Sequence, residues 1–276
     1  MGTVGEPGAY LQPWLSPDEK RVVFDRYDIQ TGTADLWIMV LARGIATRFT
    51  FDPKSEFYPV WSSDGGLIVY MSSQDSGNYL YQKEASGIGQ ERPLLTSPSK
   101  LPTDWSVDGR FLLYSEFAPK TTNVDLWVLP LADKANPIPF LRTKFTEGQG
   151  AMSPDSKWIA YQSDESGRPE VYVQPFPATG AKWQVSNGGG RFPKWRRDGK
   201  ELFYLGTDPR MMAVPVEAGV VFQPGVPVPL FDTGITNPRI RYAVTHDGQR
   251  FLFPAALETG PSPATVVLNW TAGIRK

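Results

Sequence analysis

The stretch W-S-S-D-G-G-L-I-V-Y at residues 61–70 decides the fold, because it reads as a tight turn leading into a β-strand. Asp64 and Gly65 form the turn, since glycine reaches the positive φ that a short hairpin loop requires. The aliphatic, β-branched and aromatic residues from Leu67 to Tyr70 favour a strand. One such hairpin is common in proteins, so the informative property is its repetition.

Related turns recur six times along the 276 residues, at spacings of 46, 44, 47, 43 and 49. Their aspartates are Asp18, Asp64, Asp108, Asp155, Asp198 and Asp247. The sixth residue after each aspartate is aromatic: Phe24, Tyr70, Tyr114, Tyr161, Tyr204 and Phe253. A large apolar residue stands three positions before each aspartate, as Trp61 and Trp105 do. Both strands beside each turn are therefore predicted to face a core.

Each unit carries two further strand signals. A third strand is expected 17 to 19 residues after the aspartate, around Trp37, Tyr81, Trp127 and Tyr172. A fourth, weaker strand is expected at 47–50, 182–185 and 228–231. Four short strands in every unit of about 45 residues are typical of propeller blades. The sequence predicts an all-β fold, a six-bladed β-propeller of four-stranded antiparallel blades, as one domain over residues 1–276.

The last unit lacks a fourth strand. Its strands are expected near 241–244, 250–253 and 266–270, after which the chain ends. Gly2 to Val4, ahead of the first hairpin, are predicted to supply the missing outer strand, because an open blade would leave an unpaired edge. The N-terminal strand would then latch the ring.

Composition limits the possible functions. The 28 Lys and Arg balance 29 Asp and Glu, so the chain has no electrostatic footprint for nucleic acid or a membrane surface. No apolar run is long enough to insert into a membrane. With no Cys, one histidine (His246, in a predicted solvated turn) and no G-x-S-x-G motif, we predict no enzyme, no cofactor and no metal.

Candidate binding residues lie where each first strand begins, next to the most varied loops. Eight residues before the aspartates stand Tyr10, Glu56, Lys100, Glu147, Gly190 and Arg239, and Arg191 and Arg241 follow shortly after the last two of these positions. These charges of both signs predict a polar channel mouth that orients a protein, a peptide or a small polar ligand. The alternative is that they only keep a channel hydrated.

Three other features are weighed against a structural role. Asp164 and Glu165, with Glu147, offer oxygens for calcium, but no ligand motif of fixed spacing supports that site. The loop N-G-G-G at 187–190 fits no phosphate-binding spacing and is expected to be a flexible connection. The basic residues Lys194, Arg196, Arg197 and Lys200 around Trp195 are expected to be a solvated face of a hairpin.

The repeats resemble the WD-repeat-like blades of the TolB-type propeller family, in W-S-S-D-G-G-L-I-V-Y, W-S-V-D-G-R-F-L-L-Y and S-P-D-S-K-W-I-A-Y. Longer strings at 163–177, 196–204 and 266–270 are similar to the extracytoplasmic propeller region of bacterial serine/threonine kinases and related sensors. That resemblance implies a periplasmic or extracytoplasmic location. The chain has no glycine-rich ATP loop, H-R-D or D-F-G, so kinase activity is not assigned to it.

From these observations we expect a non-enzymatic binding module, a monomer that is the sensory or docking part of a larger receptor-like protein. Two alternatives stay open. One is the propeller portion of a peptidase or a carbohydrate-active enzyme, for which Glu56 and Glu147 are the carboxylate pair to test. The other is a structural spacer domain.

Overall fold

The computed structural model describes residues 2–6, 8–95, 97–117, 124–132, 136–219, 221–235, 237, 240–254 and 264–267, the last four by their backbone. Over these residues every helix or strand element is a β-strand. The same part of the chain contains no helix long and apolar enough to cross a membrane. Two compact units divide the chain: a first unit of Met1–Pro102 with Gly234–Lys276, and a second unit of Thr103–Thr233.

The first unit holds three antiparallel sheets, one of which joins the two ends of the chain. In spatial order, that sheet is β1 (Gly2–Val4), β25 (Ala264–Val267), β24 (Phe251–Pro254) and β23 (Ala243–Val244). The next sheet is β2 (Tyr10–Leu15), β3 (Arg21–Asp28), β4 (Thr33–Val40) and β5 (Ile45–Arg48). The third is β6 (Glu56–Trp61), β7 (Leu67–Gln74), β8 (Gly77–Glu84) and β9 (Arg92–Pro93).

Three more sheets follow along the chain, and the first of them starts at the boundary between the units. Its strands are β10 (Lys100–Trp105), β11 (Phe111–Glu116), β12 (Asp125–Pro130) and β13 (Ile138–Leu141). The next sheet is β14 (Glu147–Met152), β15 (Trp158–Ser163), β16 (Glu170–Pro175) and β17 (Trp183–Gln184). The last is β18 (Arg191–Trp195), β19 (Glu201–Leu205), β20 (Arg210–Ala218), β21 (Phe222–Pro224) and β22 (Val228–Asp232).

The N-terminal latch is confirmed. Strand β1 pairs antiparallel with β25, with Gly2 opposite Val266 and Val4 opposite Ala264. The sheet thereby gains its fourth strand from the opposite end of the chain, as the unpaired-edge argument predicts. The third strand of this sheet begins two residues earlier than predicted, and residues 268–270 of that prediction lie outside the described residues.

The hairpin motif has a hydrogen-bonding explanation. In the second repeat the Ser62 hydroxyl donates to Asp64 Oδ1 at 2.6 Å and accepts the Leu67 amide at 2.8 Å, while the Gly66 amide donates to Asp64 Oδ1 at 2.9 Å. A serine or threonine makes the same contact to the turn aspartate in the repeats of Asp18, Asp108, Asp155 and Asp247. In the fifth repeat Arg196 takes this place, with two hydrogen bonds to Asp198.

Two turns lack the glycine and still adopt the left-handed conformation. Glu19 has φ 55° and Ser156 has φ 58°, a conformation that costs a residue with a Cβ about 1–2 kcal/mol. Each side chain contacts the turn of a neighbouring repeat. The Glu19 carboxylate accepts the His246 amide, and the Ser156 hydroxyl donates to Asp108 Oδ2 at 2.8 Å. The side-chain contact offsets the backbone strain.

The predicted core is confirmed for the aromatic position, which is buried in all six repeats. Trp61 and Trp195 also pack as predicted, and each indole N–H donates to a main-chain carbonyl of the preceding repeat, Trp14 at 3.2 Å and Ala151 at 3.0 Å. The candidate residue Glu147 begins β14, in a stretch that contains the two glycines Gly148 and Gly150 although Gly disfavours strands.

Candidate functional site

The first strands of four repeats contain a strained residue at the same position, six residues before the turn aspartate. Gln12, Tyr58, Gln149 and Phe192 have φ between 44° and 58°. The register of the first strand against the second shifts at the same place in each. A bulge of this kind re-aims a side chain, and a left-handed non-glycine residue costs on the order of 1–3 kcal/mol. Strain that recurs is a reason to look for a site beside it.

Arg241 holds that position in the last repeat and lies within a cluster of the first unit. Its guanidinium carbon is 4.4 Å from the centre of the Tyr58 ring. The Tyr58 amide donates to Gln12 Oε1 at 3.1 Å. Asp25, on β3, is close enough to Arg241 for the arginine charge to lower its pKa. We call Gln12, Asp25, Tyr58 and Arg241 the Arg241 cluster.

Both charges of the Arg241 cluster are buried. Asp25 is 0% exposed, and neither of its carboxylate oxygens accepts a hydrogen bond of good geometry from the described residues, although the backbone amides of Asp25 and Tyr58 lie near enough to lower its pKa. Burial raises the pKa of Asp25 to about 7, and the charge of Arg241 opposes that rise. Arg241 is 6% exposed, and burial lowers its pKa to about 10. The cluster thus contains two opposite charges in a buried environment, where each charge alone would be unfavourable.

Glu56 is a second buried acid of the first unit. It is 0% exposed, and the Ser72 hydroxyl lies 3.4 Å from its Oε1. Its other oxygen accepts no hydrogen bond from the described residues. Burial raises the pKa of Glu56 to about 8; a hydrogen bond from Thr50 opposes the rise, and the negative charge of Glu91 adds to it.

In the second unit the corresponding acid is Glu147. It is buried, and the Thr143 hydroxyl donates to its Oε1. Burial raises the pKa of Glu147, and the Thr143 hydrogen bond opposes that change. Arg191, at the start of β18, is half-buried, with its Nε enclosed and without a partner among the described residues.

The remaining predicted site residues have other surroundings. Tyr10 packs in the core of the first unit, 4.9 Å from the Phe24 ring centre. Lys100 is buried, and its ammonium lies 3.4 Å from the Pro98 carbonyl oxygen. Arg239 lies outside the described residues. Arg241 joins a cluster of charged and aromatic groups with three residues that the sequence did not single out.

The residues that the sequence offered for a metal or a phosphate form hydrogen bonds and ion pairs within the protein. Asp164 Oδ1 accepts the Thr146 amide at 2.8 Å, and Glu165 pairs with Lys182. The described residues contain no group of three acids or histidines placed to hold a metal ion. In the 187–190 loop, the amides of Gly188 and Gly189 donate to Glu170 Oε1 at 3.2 and 2.8 Å. This small anion-binding loop is therefore filled by the chain's own carboxylate.

The repeated antiparallel sheets define the class: the fold is an all-β propeller, similar to that of solved TolB structures. A TolB structure from Agrobacterium tumefaciens has a TM-score of 0.70 and 16% identity, covering 95% of this chain and 91% of that one. At this identity the likeness shows the fold alone. The finer similarity to the propellers of bacterial kinases is not shown by these structures.

Enzymes share the fold. An oligogalacturonate lyase in complex with manganese matches with a TM-score of 0.63 and 13% identity, over 96% of this chain and 78% of that one. A gluconolactonase from Xanthomonas campestris matches with a TM-score of 0.65 and 12% identity, over 96% and 87%.

Among curated proteins, the uncharacterized peptidase YuxL of Bacillus subtilis (strain 168) is 25% identical over 168 residues. The alignment covers 58% of this chain and 24% of that relative, so this chain matches about a quarter of its length. No protein-family model matches the chain.

The sequence-based prediction that the chain is not an enzyme is wrong, because the comparisons leave an enzymatic function open. The lyase and the lactonase have the same fold, and the curated relative is named as a peptidase. The prediction relied on missing cysteine, histidine and serine motifs, but carboxylates also perform acid and base catalysis. In this chain burial raises the pKa of two carboxyl groups, those of Asp25 and Glu56. Counts of residue types in the sequence do not reveal such burial.

Proposed function

We propose that the chain is a recognition module that binds a partner protein, a peptide or a small polar ligand where the first strands of its blades begin. The observation that carries the proposal is the Arg241 cluster, in which a buried carboxylate lacks hydrogen bonds of good geometry from the described protein groups beside a buried arginine. Strained residues at Gln12 and Tyr58 adjoin it. Buried carboxylates with raised pKa values and strained backbone positions are typical of binding sites.

The wider site is part of the same proposal. Within the first unit, Glu56, Lys100 and Arg239 stay predicted contacts, and Glu147 and Arg191 stay predicted contacts of the second unit. The similarity to kinase-associated propellers supports a sensory or docking role within a larger receptor-like protein. The single domain over 1–276 and the monomeric state stay predictions.

A photocrosslinking amino acid tests the proposal. It replaces Tyr58, the half-buried member of the Arg241 cluster, and in a matched control it replaces Ile45, which is 62% exposed on the outer strand β5. Each variant is illuminated in extract of the source cells, alone and combined with Arg241→Gln. We expect adducts at position 58 that Arg241→Gln abolishes. Identical adducts at positions 58 and 45, or none at position 58, refute the proposal.

Catalysis is a second candidate, and the observation that favours it is the pKa of Asp25 near neutrality. A general base works best when its pKa is close to the working pH. Arg241 beside it would hold an acidic substrate, such as the oligogalacturonate for which the matching lyase is named. Oligogalacturonate and gluconolactone are the substrates to test, and Asp25→Asn should lower the rate about 100-fold. Turnover that Asp25→Asn leaves unchanged excludes this role.

A further inference from the structure

We propose that a cleft formed by β7, β8 and β9 binds a neutral sugar in its pyranose ring form. The cleft has a volume of about 320 Å³ and is lined by Gln74, Ser76, Tyr79, Tyr81 and Pro93. Pockets for small ligands begin at about this size. The inference goes beyond the recognition site proposed above, because none of these residues belongs to the Arg241 cluster.

The cleft is built within one sheet of the first unit. Tyr79 and Tyr81 are two residues apart on β8, so their side chains point to the same face of the sheet. Pro93 is the β9 residue opposite Tyr81. Gln74 ends β7, and Ser76 lies in the turn that leads to β8. One hairpin and the strand beside it therefore bring all five lining residues together.

The polar groups of the cleft are held in place and keep further hydrogen-bonding capacity. Gln74 Nε2 donates to Ser72 Oγ at 2.8 Å, which leaves the carbonyl oxygen and the second N–H of the Gln74 amide for a ligand. The hydroxyls of Ser76 and Tyr79 lie 2.8 Å apart, and together they still offer one O–H donor and several acceptor lone pairs. Groups that both donate and accept match the hydroxyls of a sugar, which also do both.

Aromatic rings and a proline supply the apolar side of the cleft. The Tyr81 ring stacks on the buried Tyr70 ring, with their centres 6.4 Å apart and their planes inclined by 29°, so Tyr81 is held against the core. Tyr79 is half-buried and Pro93 is exposed. A pyranose ring has a face of C–H groups, which gains free energy by covering apolar or aromatic surface. An acyclic polyol has the hydroxyls of a sugar but no such face.

The charge of the cleft selects a neutral sugar. Among the described residues that line it, none carries a charge at neutral pH. Asp75, in the turn beside the cleft, has a side chain that is 91% exposed, and it pairs with Lys54. A sugar acid or a sugar phosphate would therefore find no cationic partner in the lining, whereas a neutral ring needs none.

NMR titration of the nitrogen-15-labelled chain tests the inference with the methyl glycosides of glucose, galactose, mannose and N-acetylglucosamine. We expect at least one of them to bind and to shift the side-chain amide signals of Gln74, which the Gln74→Ala spectrum assigns. Sorbitol, which lacks the ring, should bind about 10-fold more weakly. Glucuronate, which adds a charge, should bind no more tightly than the glucoside.

Variants test the two sides of the cleft separately. Tyr79→Ala should lower the affinity about 10-fold and Gln74→Ala about 5-fold. Tyr27→Ala is the matched control, since Tyr27 is a tyrosine of the same unit that is 41% exposed and does not line the cleft. Tyr79→Phe keeps the ring and should retain more of the affinity than Tyr79→Ala, which separates a lost contact from a misfolded variant.

Three outcomes overturn the inference: no glycoside shifts the Gln74 amide, sorbitol or glucuronate binds more tightly than every glycoside, or Tyr79→Ala and Gln74→Ala both keep the affinity. A disaccharide of the sugar that binds best distinguishes a glycan chain, which should bind more tightly, from a free monosaccharide; either result supports the ring as the ligand. The crosslinking experiment at position 58 does not involve the cleft, so each proposal can fail without the other.

Discussion

Replacing Asp25 by asparagine should change how the stability of the protein depends on pH. Burial raises the pKa of this carboxyl from 3.8 to about 7 in the folded chain. Between these values the folded state binds more protons than the unfolded state, so the free energy of unfolding falls as the pH rises. At about 1.4 kcal/mol for each pKa unit, the contribution from pH 5 to complete ionisation is about 3 kcal/mol. Asparagine does not titrate, so the variant should lose this part of the pH dependence.

Urea unfolding followed by tryptophan fluorescence measures the effect at about pH 5 and about pH 8.5. Both values lie above the range in which the turn aspartates take up protons, so those groups do not interfere. Relative to the wild type, Asp25→Asn should gain about 3 kcal/mol on going from the lower to the higher pH. Glu56→Gln is the matched variant, since the pKa of Glu56 is also raised, to about 8, and it should show a gain of similar size. Parallel pH profiles for Asp25→Asn and the wild type would refute the burial argument.

The remaining predictions concern the fold. Ser62→Ala should cost about 1 kcal/mol, because the hydroxyl joins Asp64 to the Leu67 amide, and Ser63→Ala in the same turn is the control; equal unfolding midpoints would contradict the turn mechanism. Glu170→Gln should cost about 3 kcal/mol, since the carboxylate accepts the amides of Gly188 and Gly189, the Ser186 hydroxyl and Arg168 Nε; Glu165→Gln, which breaks an ion pair with Lys182, should cost much less. Deleting residues 2–5 removes the pairing of β1 with β25 and should lower the melting temperature by several degrees, and an unchanged melt would show that the latch is dispensable. Hydrogen bonds lower the pKa of Asp18, Asp64 and Asp247, so their stabilisation is present above the ordinary aspartate pKa of about 4; it should be lost as the pH falls further, and a flat acid profile of the unfolding midpoint would contradict it.

The sequence was sufficient for the fold because the fold depends on local rules that repeat. In each turn the aspartate is contacted by the side chain two residues before it, which is Ser, Thr or Arg, and the aromatic position follows at a fixed distance along one strand. The N-terminal latch was also accessible, since a missing strand at one end and spare residues at the other can be counted.

The candidate site was only partly accessible, because it depends on contacts between repeats. Arg241 was singled out by its position near a strand start, whereas Asp25 lies in the middle of β3 in a stretch without any motif. Its importance comes from burial and from Arg241, more than 200 residues away in the sequence. The bulge that turns Tyr58 left no signal either, since the strained residues are Gln, Tyr, Gln and Phe rather than glycine.

The titration of the Asp25 side chain, followed by carbon-13 NMR of its carboxyl carbon, tests the central claim most directly. The Asp25→Asn spectrum assigns the resonance. The structure predicts a pKa of about 7 for the free protein, and a fall in that pKa when a cationic group of a ligand binds beside the carboxylate. A pKa near the ordinary value of about 4, unchanged by every ligand tested, would show that the carboxylate is satisfied within the protein and would contradict its role in recognition.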